Sequence, residues 1–100
     1  MSGYVLSKAA LLELDEIWSF IAQDNPEIAD RWIEKLLDAC ETVARHPHMG
    51  HAREDITDKA VLFWPVGTYM IIYRVLAHHI DVLAITQGSR DIPSYLRRRT

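Results

Sequence analysis

The chain is 100 residues long, with 49% apolar and 25% charged side chains and a net charge of −3, which suits one globular domain and excludes a disordered, collagen-like or coiled-coil chain. No apolar run reaches the ~18 residues of a membrane-spanning helix, and the start Met1-Ser2-Gly3-Tyr4-Val5-Leu6 lacks the basic region of a signal peptide. A lone cysteine, Cys40, can make neither an intrachain disulfide nor a four-thiolate zinc site, so a single domain over residues 1–100 in a reducing cytoplasmic setting, with no membrane partner, is expected.

Tyr4-Val5-Leu6 reads as an edge or partner strand, and Ser7 as the N-cap of a first helix. Ala10, Leu14, Ile17, Trp18 and Ile21 form a stripe of 3.6-residue period carrying that helix over about residues 7–24. Asn25-Pro26 restarts the chain, because proline at the first helical position gives up an N–H that had no intrahelical partner. Ile28, Ala29, Trp32, Ile33, Leu36, Cys40, Val43 and Ala44 make a second stripe over about 26–46, closed by Pro47. So short a junction predicts an antiparallel helical hairpin. The polar segment 47–58 reads as an ordered crossing loop. Strands follow: Ala60 to Trp64, a turn over Pro65-Val66-Gly67-Thr68, a long strand from Tyr69 to Leu76 whose apolar character on both faces predicts a central place, and a return strand from Ile80 to Thr86. The tail Ser89 to Arg99 adds a final helical turn after Pro93, with Arg97-Arg98-Arg99 reading as a mobile end. Helices followed by strands predict an α+β fold, a helical hairpin packed on one face of an antiparallel sheet of about four strands. Trp18, Trp32 and Trp64 are expected in or near the core.

Charge is unevenly divided: residues 1–44 carry nine acidic and three basic side chains (−6), and residues 45–100 eight basic and five acidic ones (+3). No Walker loop, GxGxxG, GxSxG or HExxH is present, so nothing calls for a cofactor. His46, His48 and His51 could in principle hold a transition metal. Pro47 stiffens their segment, however, and spacing fixes no carboxylate beside them, so no metal site is expected. A metal-free nuclease needs converging cations and a proton-moving group. Arg53, Arg74, Arg90, His51, His79 and Tyr95 are the available parts, yet the positions alternating with Arg74 on the long strand are Met70 and Ile72. An ion pair with a helix carboxylate is the simplest role for Arg74.

In order and spacing, Tyr4-Val5-Leu6-Ser7 with Ala10, Leu14-Asp15-Glu16-Ile17-Trp18, Asn25-Pro26 with Ala29, His46-Pro47-His48-Met49-Gly50 with Arg53, Tyr69 to Arg74, and Val82 to Ile85 ending near Arg90-Asp91 resemble the RelE/ParE superfamily of toxins from type II toxin–antitoxin systems, and the ParE branch more closely. The resemblance spans nearly the whole chain. It implies a small α+β toxin neutralised by a cognate ParD-like antitoxin, with Trp32, Tyr69 and Arg74 as candidate antitoxin contacts in a groove between hairpin and sheet, basic residues of the second half meeting antitoxin acids, and operator DNA reached only through the antitoxin. Inhibition of DNA gyrase by binding, without catalysis, is the implied activity. The alternative is a ribosome-dependent messenger-RNA endoribonuclease, for which Arg90, Tyr95 and Arg53 would be the catalytic candidates; Met70 stands where ribonuclease members tend to carry arginine.

Overall fold

The structure, a computed structural model, describes residues 3–88 and 91–98. In chain order these form β1 (Tyr4–Leu6), α1 (Lys8–Ala22), α2 (Pro26–Arg45), a single 3-10 turn (Pro47–Met49), β2 (Leu62–Val66), β3 (Tyr69–Val75), β4 (Ile80–Gln87) and α3 (Ile92–Arg98). Both hairpin helices start where cap chemistry placed them. The Ser7 hydroxyl accepts from Ala10 N–H at 3.0 Å, and the Asn25 side-chain oxygen accepts from the N–H groups of Glu27 and Ile28.

The sheet order is β1-β4-β3-β2, with β3 central as its two-sided apolar pattern predicts. The meander β2, β3, β4 is antiparallel, whereas β1 joins β4 in parallel, so the sheet is mixed. The chain enters the sheet at one edge, is carried by the hairpin to β2 at the other, and returns through β3 to lay β4 parallel to β1, a closure that local sequence pattern does not encode. Pro65 and Val66, read as turn residues, belong to β2. The sheet tolerates Pro65 because β2 is an edge strand and the missing N–H deprives no neighbour. Only Gly67 and Thr68 turn the chain; Gly67 has φ 59°, as the first central position of a II′ hairpin requires.

Alternation along the strands splits the core in two. Ile71, Tyr73, Ile80, Val82 and Ile85 face the hairpin, where they meet Ala10, Leu14, Leu36, Cys40 and Val43. Phe63, Ile72 and Ala84 face the other way and are roofed by Ile92, Tyr95 and Leu96 of α3. Residues 92–98 are therefore a packed third layer; of the end expected to be mobile, Arg97 and Arg98 belong to α3 and Arg99 lies outside the described residues. Asp91 caps α3 through Ser94, and the helix begins one residue before Pro93. Between Ile72 and Tyr73 the register with β4 slips, leaving Leu83 as an extra residue that points, with Ala84, to the α3 side.

Trp18 departs from its expected core place: it is 39% exposed, and its indole N–H donates to Asp30 at 2.8 Å, pinning α1 to α2 from outside. Trp32 and Trp64 lie partly buried against the hairpin-side core. Among the described residues no helix is long and apolar enough to cross a membrane.

The buried Tyr73 fastens the crossing loop to the central strand. Its hydroxyl donates to Pro47 C=O at 2.7 Å and accepts from Gly50 N–H at 3.0 Å. Gly50 has to be glycine there, since a Cβ would lie 2.2 Å from that hydroxyl. Tyr73→Phe should lower stability by about 1–3 kcal/mol in urea denaturation and speed hydrogen exchange at Gly50 N–H, because two buried polar groups lose their partner. Burial also pushes the Cys40 thiol up from 9.0 to about 12. The folded value lies above the unfolded one, so this contribution to stability is intact below pH 9 and is lost as the pH rises towards 12. Denaturation curves recorded across that range should fall less steeply for Cys40→Ala than for the parent chain, and iodoacetamide at pH ~8 should leave the folded thiol unmodified.

Candidate interaction site

Two of the three candidate antitoxin contacts meet. Trp32, on α2, sets its ring edge-on against Tyr69, the first residue of β3, with centroids 5.4 Å apart and planes at 69°. Lys35 Nζ stands 4.8 Å from the Trp32 ring, one helical turn further on, as a cation over a π face. The β2–β3 turn fits beneath the indole: a Cβ on Gly67 would approach Trp32 Cη2 to 2.7 Å. Tyr69 is only 7% exposed, so its surface for a partner is its edge on the neighbouring grooves.

A groove does run between hairpin and sheet. It has a volume of about 280 Å³ and lies between α1 and the end of β4, with Tyr69 and Ile85 as its floor and Ile17 and Phe20 as its wall. Phe20 is 66% exposed. Glu13 and Glu16 line it; the exposed Glu16 leaves an acidic group at the groove that suits a partner presenting apolar and basic side chains. Phe20 and the exposed Leu11 and Leu12 went unremarked in the sequence, although their place off the apolar stripe of α1 is the visible signal for them.

Arg74 is elsewhere. It lies five residues along β3 from Tyr69, about 17 Å away, on the opposite face of the sheet. Its partner is not a helix carboxylate but Asp81, directly across on β4: Nε and Nη2 reach Oδ2 at 3.3 and 3.2 Å, while Oδ1 meets His79 Nε2 at 3.2 Å.

The ribonuclease candidates do not converge. The exposed Arg53 is engaged by Asp55 through two hydrogen bonds of 2.9 and 2.8 Å, and Arg53 in turn holds the Asp55 carboxyl below its usual range through that bonding. Tyr95 is 5% exposed, and its hydroxyl donates to Glu13, whose other oxygen accepts Ile85 N–H at 2.9 Å. Arg90 lies outside the described residues. On β3, Ile72 is buried and Met70 packs beside it under α3. Of the loop histidines, His51 pairs through its backbone with Phe63 and lies parallel to Trp64, ring centroids 6.3 Å apart. Among the described residues no group of three His, Cys, Asp or Glu could hold a metal ion.

A hairpin on one sheet face and a short helix on the other define a small α+β protein in outline, and comparison with known proteins makes the class specific. Residues 4–92 match the family described as ParE toxin of type II toxin-antitoxin system, parDE. Toxin ParE1 of Caulobacter vibrioides is 31% identical over 93 residues, covering 84% of this chain and 97% of that protein. Putative toxin Y4kP of Sinorhizobium fredii is 25% identical over 87 residues, covering 87% of this chain and 88% of that one. A solved chain of the chromosomal ParDE system from P. aeruginosa superposes with a TM-score of 0.73 at 18% identity, over 87% of this chain and 96% of its own, and so shares the fold. The chain belongs to the ParE toxin family of type II toxin–antitoxin systems.

Gly67→Ala should test the Trp32 seat. A side chain at this positive φ costs about 1–2 kcal/mol, and the new methyl group must displace the indole. The expected outcome is a lower denaturation midpoint together with altered tryptophan emission, the latter absent when Trp32→Phe is the background.

Proposed function

We propose that this toxin acts by binding and inhibiting DNA gyrase, without catalysis of its own, and that a cognate antitoxin neutralises it by occupying the groove between hairpin and sheet. The family is one half of a two-component system, so an antitoxin is its partner. Trp32 and Tyr69 would supply the aromatic floor beside that groove and Arg74 an outlying charged contact; operator DNA would be reached only through the antitoxin, in the cytoplasm.

One observation carries the choice of mechanism. Stabilising a pentacoordinate phosphate takes several preorganised cations aimed at one point. The β3 positions that would present them are Met70 and Ile72, and both serve the apolar packing under α3. Tyr95, the proton-moving candidate, is committed to Glu13 inside the fold. This supports a protein that works by occupying a surface.

Gyrase supercoiling and translation-linked messenger-RNA cleavage, assayed in parallel with antitoxin-free toxin, test the reading. The expected result is loss of supercoiling with transcripts intact. Site-specific cuts that vanish in Arg90→Ala or Tyr95→Phe, with supercoiling unchanged, would reverse it in favour of the ribonuclease.

A further inference from the structure

The sheet face opposite the hairpin is only partly covered. α3 is seven residues long and roofs Phe63, Ile72 and Ala84. Beside it, among the described residues, the sheet forms a cleft of about 350 Å³, walled by Val61, Leu83, Ala84 and Leu96, with Lys59 and Arg74 as its charged lining. The bulge creates this floor, because Leu83 and Ala84 both turn to the α3 side. Neither cation is fully used. Arg74 reaches one oxygen of Asp81 at long distance from an exposed position, and Lys59 Nζ donates to Leu96 C=O at 3.3 Å with two N–H groups to spare.

We propose that this cleft is a second docking subsite for the cognate antitoxin, taking an amphipathic stretch in which an aspartate or glutamate stands beside an aliphatic side chain. The proposal rests on the antitoxin reading above and adds a location and a chemistry to it. The aliphatic group covers Leu83 and Ala84, and the carboxylate bridges Lys59 and Arg74. Charge complementarity selects this occupant: the charged lining of the cleft is Lys59 and Arg74, whereas the groove under α1 carries the exposed Glu16, so the two sites favour side chains of opposite sign. None of the lining residues is aromatic, so there is no stacking platform for a nucleic-acid base.

Calorimetric titration of the full-length toxin with the full-length antitoxin encoded beside it tests this. The double variant Lys59→Gln, Arg74→Gln should weaken binding by about tenfold or more and reduce its dependence on salt between ~50 and ~300 mM, with an unchanged melting temperature. Arg74→Lys on the parent background should stay within about threefold, since a cation is kept. In the unaltered toxin, amide resonances of Val61, Leu83, Ala84 and Leu96 should shift when antitoxin is added, a readout independent of whether the variants fold. Double-variant affinity within about twofold of the parent, or unmoved resonances, would overturn the subsite while leaving the antitoxin reading intact. So would loss of gyrase inhibition with unchanged antitoxin affinity, which would assign the cleft to the target. Failure of the unaltered pair to bind would remove the antitoxin reading itself.

Discussion

The fold turns on a mismatch of lengths: β4 spans eight residues and its outer neighbour β1 only three. Beyond Leu6 the edge of β4 would face the protein with backbone groups unpaired, and such groups are costly when withdrawn from water. Side chains of the first helical turns complete the ladder. Ser7 N–H donates to Val82 C=O and its hydroxyl to Leu83 C=O, and Glu13 accepts Ile85 N–H. Glu13 then takes the hydroxyl of Tyr95 with its other oxygen. A single carboxylate thereby seats α1 against the sheet and draws α3 round the edge onto the far face.

That arrangement sets what the surfaces can do. The hairpin consumes one sheet face for packing and leaves an acidic groove at its margin, while α3 consumes part of the other and leaves a basic one. On the same face of β3, Met70 and Ile72 pack under α3 and Arg74 pairs with Asp81.

What could be read from the sequence was whatever local chemistry decides. Ser7 and Asn25-Pro26 announce helix starts through groups within three residues of themselves, and β3 announces its central place by being apolar on both faces. What depends on distant partners was hidden. Pro65 reads as a turn until β2 is known to be an edge; Arg74 finds Asp81 only through a register that includes the bulge at Leu83. Tyr95 and Leu96 look like tail residues until a sheet face is there to receive them. The site was legible to the same degree: Trp32 and Tyr69 meet, but Lys59, Leu83 and Glu13 acquire roles only in three dimensions.

The far edge of the sheet has a bearing on the life of a protein whose partner can be taken away. On β2, the outward N–H and C=O of Phe63 are already bound by His51 at 2.8 and 2.9 Å, and the next outward position is Pro65, which has no N–H to give. The opposite edge presents the three residues of β1, and beyond them Ser7 and Glu13 engage Val82 C=O, Leu83 C=O and Ile85 N–H of β4. Among the described residues both margins are thus short or interrupted as templates for another copy of the chain. Edge-to-edge pairing between copies is thereby disfavoured, a constraint that matters most for a toxin standing without its antitoxin.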